Sequence, residues 1–158
     1  MKYKIIILNL LIVLAISGCN LRQGKVIYNN TEKLEGRKLS SESIKQGQMK
    51  LITPNSIGQL RNKLRGIENL SLNNRIAVYA SLGERSSGGF QIKIKEIRKK
   101  DDNLIVTVKA VGPSPNQAVI QMITYPYDIV ELSLKEKEIK KVFFLTPAED
   151  KLKMININ

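Results

Sequence analysis

The sequence predicts an α+β domain: a mainly antiparallel β-sheet with one N-terminal helix packed on it. Three observations carry that prediction. From Arg75 onward, apolar residues recur with a period of two. The alternating runs are joined by short, turn-rich connections, which favour antiparallel pairing. Ahead of them, Ile57, Leu60 and Leu64 recur at spacings of three and four, one face of a helix.

Taken in order, Gln48 to Thr53 reads as a short strand with Leu51 and Ile52 apolar. Thr53-Pro54 is a helix-start signal, a capping hydroxyl followed by a proline whose missing N–H costs nothing there. Arg61, Lys63 and Arg65 sit toward the helix C-terminus, where the dipole favours cations, and Gly66 is the expected stop. Arg75 to Leu82 is a strand. In Phe90 to Ile97, Phe90, Ile92 and Ile94 point one way, and Gln91, Lys93 and Lys95 the other. Lys99 to Asn103 is a hairpin turn by composition, and Leu104 to Val111 returns with Leu104, Val106, Val108 and Ala110 on one face. Pro113-Ser114-Pro115-Asn116 breaks the chain. Ala118 to Tyr125 reads as a further strand, Pro126 interrupts it, and Asp128 to Leu132 resumes at an edge or past a bulge. Lys141 to Leu145 is a last apolar run whose partner the sequence leaves open.

Composition narrows the chemistry. The chain has 158 residues, 42% hydrophobic, which is enough for a core. It contains no His and one Cys. Nucleophilic devices that rely on imidazole, structural zinc sites and an intrachain disulfide are therefore excluded. The carboxylates Glu84, Glu96, Asp101, Asp102 and Asp128 form no recognisable catalytic pair. No cofactor and no metal site is expected, and the protein reads as a non-enzyme. The formal net charge of +12 allows an anionic partner.

The N-terminus is an address. Lys2 and Lys4 precede Ile5–Ile16, an apolar run interrupted by Asn9 and shorter than the roughly 20 residues of a spanning helix. Ile16-Ser17-Gly18-Cys19 follows, and Cys19 is the only cysteine. This resembles the bacterial lipoprotein cleavage box. The resemblance implies a diacylglycerol on the Cys19 sulfur, cleavage before Cys19, and an extracytoplasmic protein anchored to a bacterial membrane by its acyl chains. Residues 1–18 are then the signal peptide and 19–46 a polar tether with at most one weak strand around Val26-Ile27-Tyr28. A flexible tether of that length would reach roughly 25–30 Å. Residues 47–145 form the β-rich domain and 146–158 a C-terminal tail.

Two motifs stand out. Gly83-Glu84-Arg85-Ser86-Ser87-Gly88-Gly89-Phe90 lies between two strands and suits a tight loop. Gly88 and Gly89 are the positions where ordinary side chains would be strained. It lacks the phosphate-loop pattern and leads into a strand. The second motif is Pro113-Ser114-Pro115, then Gln121, then Thr124-Tyr125-Pro126-Tyr127. Together, from about Ile76 to Leu132, they resemble the C-terminal domain of the PrcB family. The matching positions are Gly83, Arg85, Ser87, Gly88, Gly89 and Phe90, then Pro113, Pro115, Gln121, Thr124, Pro126 and Tyr127. The resemblance implies a lipoprotein that associates with, and helps stabilise or mature, a secreted subtilisin-like protease.

The first functional reading is thus a non-catalytic accessory protein that holds a partner protein. Arg85, Ser87, Gly88, Gly89, Phe90, Tyr125 and Tyr127 are its candidate contact residues. Arg and Tyr are types that dominate protein-binding hot spots. The alternative is a basic module for an anionic cell-wall polymer. Nucleic acid is not an expected partner, because lipidation would place the domain outside the cytoplasm.

Overall fold

The computed structural model describes residues 23–157, and the signal segment and Cys19 lie outside the described residues. Among the described residues nine strands and two short helices follow one another: β1 (Lys25–Asn29), β2 (Arg37–Lys38), α1 (Ser41–Lys45), β3 (Gln48–Ile52), α2 (Ile57–Leu60), β4 (Ile76–Ser81), β5 (Gln91–Lys100), β6 (Asn103–Gly112), β7 (Tyr127–Leu132), β8 (Lys141–Leu145) and β9 (Lys151–Asn156). A 3₁₀ turn, Glu136–Glu138, precedes β8.

The strands make two sheets. The larger has the order β1-β5-β6-β8-β9, with β2 also on β6; the smaller is β3-β4-β7. All pairings are antiparallel except β6 with β8, which is parallel. The inner faces share one core: Met49, Ile76, Val78 and Val130 of the smaller sheet with Ile92, Ile94, Val106, Val108 and Phe144 of the larger. A bulge between Ile94 and Glu96 shifts the β5 register by one. Ile97 therefore faces inward with Ile92 and Ile94, although strict alternation would turn it outward. The hairpin turns at Asp101, whose positive φ of 54° is a conformation short acidic side chains tolerate.

Strand β4 is buried along its whole length. Its second face, with Ala77 and Tyr79, packs against Ile52, Leu64, Ile67 and Leu72 in a separate apolar cluster. The segment supplying Leu64, Ile67 and Leu72 is mostly irregular. The predicted helix over this region reduces to the single turn of α2, and among the described residues no one helix covers the sheet. Gly58 lies inside that turn. Ser56, at its N-cap, makes no capping bond; its hydroxyl instead accepts from the Thr53 backbone N–H at 2.9 Å. α1, five residues capped by Ser40, buries only Ile44.

Three further expectations are corrected. The tether is part of the fold: β1 pairs with β5, β2 pairs with β6, and Leu34, Leu39 and Ile44 are buried. Lys93 pairs with the Glu32 carboxylate at 3.3 Å, and Lys95 donates to the Glu32 carbonyl at 2.6 Å, fastening this segment along β5. The tail is also folded: β9 pairs with β8 and buries Leu152. Ala118–Tyr125 is not a strand; its only bridge joins Thr124 to Arg85.

Candidate functional site

The loop after β4 leads from the smaller sheet to the larger, so it is a crossing and not a hairpin. It also brings the two sequence motifs together. The Leu82 N–H donates to the Pro126 carbonyl at 3.0 Å. Arg85 and Thr124 exchange backbone hydrogen bonds, and the Gly88 N–H donates to the Ile120 carbonyl at 2.9 Å. The Thr124 hydroxyl donates to the Ser87 carbonyl at 2.8 Å. The Gly83–Phe90 loop is thereby a frame on which Ile120–Pro126 is stretched.

Within that frame Ser87 is buried, and Arg85, Gly88, Gly89 and Phe90 are half-buried. The Arg85 guanidinium donates to the Ser43 carbonyl of α1 at 3.0 Å and lies 5.5 Å from the centre of the Phe90 ring. Phe90 packs on the core. Gly89, at φ 80°, needs its missing side chain, since a Cβ would stand 3.0 Å from Val119 and 3.1 Å from Pro113. Gly88 differs: its φ is not in the left-handed region and a Cβ would meet the Ile120 backbone at ordinary contact distance, its carbonyl at 3.7 Å, which corrects the expectation of strain at both glycines. Arg85, Ser87, Gly89 and Phe90 thus build the frame, with Arg85, Gly89 and Phe90 still partly open to solvent.

The two tyrosines are on the surface. Tyr125 lies under the Arg65 guanidinium, 4.8 Å from its ring centre, and donates its hydroxyl to Glu84 at 2.7 Å. That bond to a carboxylate holds the phenol pKa above its ordinary value, with burial adding to the shift. Tyr127 is exposed on one side and stacks on buried Tyr79 on the other, with ring centres 6.2 Å apart at 13°. Tyr79 is itself pushed up, chiefly by burial. Gly66 (φ 80°) sits directly against the Tyr127 ring, where a side chain would collide.

The largest exposed apolar groups were not among the predicted site residues. Ile120, Met122 and Ile123 are 73%, 59% and 57% exposed, and with Tyr125 and Tyr127 they make a ridge along one stretch of chain. The signal was present in the sequence, because the apolar residues of Ala118–Tyr125 do not alternate as a half-buried strand requires.

Below the ridge, Asp128 of β7 accepts the Ile94 N–H of β5 at 2.8 Å, and Lys93 approaches its other oxygen at 3.9 Å. Burial pushes the Asp128 pKa up despite those two favourable contacts. Among the described residues no group of three His, Cys, Asp or Glu is placed to hold a metal ion. Among them, too, no helix is long and apolar enough to cross a membrane.

No curated protein and no solved structure matches the chain. Residues 76–133, a little over a third of the sequence, match the family described as PrcB C-terminal. That span opens on the first residue of β4, closes one residue past β7 and contains both the ridge and the loop that frames it.

Proposed function

We propose that the protein is a non-catalytic accessory subunit, lipid-anchored through Cys19 outside the cytoplasm, that holds a partner protein against the Ile120–Tyr127 ridge. The observation that carries this reading is the exposure of Ile120, Met122 and Ile123 side by side on a backbone fixed by the Arg85 loop. Exposed apolar side chains clustered on a rigid frame mark interaction surfaces, and tyrosines at the margin supply contact area at low entropy cost. The similarity to the PrcB C-terminal family supports a protease-complex role. The resemblance of the two motifs extends that to a secreted subtilisin-like protease.

Crosslinking on intact cells, followed by purification through a C-terminal tag, tests the partner. A protein partner recovered equally at low and high salt is expected, since an apolar interface resists screening. Salt-sensitive recovery of wall polymer alone would favour the polyanion alternative. The anchor is tested separately: palmitate labelling and membrane retention should both be lost in Cys19→Ser.

A further inference from the structure

The strand registers define two opposite ends of the larger sheet. One holds the start of β1, the β5–β6 turn and the start of β8; the other holds the start of β5 and the end of β6. Ten-residue β5 spans about 30 Å between them. The ridge lies at the second end, because its frame joins β4 to the start of β5. Cys19 lies six residues before Lys25, at the first end, and six residues reach about 20 Å at most.

That first end is basic. Lys25 pairs with Lys99 across β1 and β5, and Lys100 and Lys141 occupy the last row of the outer face, flanking Asn103. Of the two aspartates in the turn, Asp102 is held by Lys140 at 2.7 Å. The next pair of registers inward on the same face runs Val26, Arg98, Ile105, Phe143, Met154 across all five strands. Val26 and Met154 are 42% and 41% exposed, and Arg98 is neutralised by Glu96 at 2.6 Å. Beyond that row the face turns polar, with Asn29, Glu96 and Thr107.

We infer that this end of the outer face rests on an anionic phospholipid bilayer, with Val26, Phe143 and Met154 at the headgroup boundary and Lys100 and Lys141 on the phosphates. The inference rests on Cys19 being lipidated and adds an orientation to it: the ridge is held outward, at the far end of the sheet. Apolar side chains dip into an interface while nearby lysines meet its anionic headgroups. The folded β1 enforces the orientation, since it leaves only a short stretch of chain between the anchor and the sheet.

The test uses full-length acylated protein reconstituted into vesicles of phosphatidylcholine and phosphatidylglycerol, with an environment-sensitive fluorophore on Met154→Cys or Asn116→Cys. Flotation with the vesicles reports the anchor. The label at 154 is expected to shift to the blue and lose intensity with nitroxide-bearing lipids, while the label at 116 keeps its aqueous emission. Adding Lys100→Glu and Lys141→Glu should abolish the shift at 154 without loss of flotation. Protein that floats but shows the same aqueous emission at both positions overturns the orientation and leaves the anchor standing. A shift at 154 unchanged by the two glutamates, or produced only when anionic wall polymer is added, overturns the bilayer contact. Protein that does not float removes the Cys19 reading, and this inference with it.

Discussion

Arg85 and Thr124 exchange two backbone hydrogen bonds, each 2.9 Å, across 38 residues of intervening sequence that include the whole β5–β6 hairpin. Through this pairing a glycine-containing crossing between sheets and a proline-bounded segment become one ridge. The distinction between residues that build the ridge and residues that present it follows directly, and it can be measured.

Arg85 is a strut by this account. Arg85→Ala removes a hydrogen bond to the Ser43 carbonyl and a contact with the Phe90 ring. It should cost about 1–2 kcal/mol in thermal or denaturant unfolding. An unchanged melting temperature combined with lost partner recovery would make Arg85 a contact residue instead.

The glycines should rank. Gly47→Ala is expected to be the most damaging, because its Cβ would collide with the backbone carbonyl of Ser81. Gly89→Ala should cost about 1–2 kcal/mol through its positive φ and its neighbours Val119 and Pro113. Gly88→Ala should stay within about 0.5 kcal/mol. Melts of the three purified variants check the order.

The C-terminal residues should be indispensable. A stop after Leu145 removes β9, leaving the β8 edge unpaired and stripping buried Leu152 from the core. The expected loss exceeds about 3 kcal/mol, read as failure to show a cooperative unfolding transition. A truncated protein that melts like the full chain would return these residues to the status of a tail.

Asp128 gives a pH signature. Its folded pKa is raised, chiefly by burial, so the folded state holds that proton more tightly than the unfolded chain. Stability from this group is present at low pH and falls as pH rises from the ordinary aspartate value through the folded one. Asp128→Asn keeps an acceptor for the Ile94 N–H without a charge to desolvate. Relative to wild type, the variant should therefore gain stability as pH rises above the ordinary aspartate value of about 4. Half-exposed Asp102 and exposed Asp150, lowered by hydrogen bonds from Lys140 and from Thr146 and Ser41, act in the opposite sense in both proteins and cancel in the comparison.

The central strands were legible because their sequences obey a period of two: β5, β6 and their turn stand where alternation places them, apart from the Ile94–Glu96 bulge. The edges were not. β1 and β9 carry polar residues on much of their length, as edge strands do, and such segments read as linkers. The parallel placement of β8 depends on the chain leaving β6 for the other sheet and returning, which no local pattern encodes. The spacing of Ile57, Leu60 and Leu64 marked residues that do pack together with buried Leu64 on the smaller sheet. Tertiary burial there did not require a continuous helix. At the site, both motifs were visible and their proximity was not. The bonds that Arg85 and Gly88 make within the frame were not legible, and the exposed Ile120, Met122 and Ile123 were read as strand.

The most direct test is the recovery of the crosslinked partner by a protein carrying Ile120→Asp and Ile123→Asp. Both side chains are largely in solvent and neither lies in the core, so unfolding should be unchanged within about 0.5 kcal/mol for each. The account predicts a folded, membrane-retained protein from which the partner is lost. The same partner recovered in the same yield from the folded variant would contradict it.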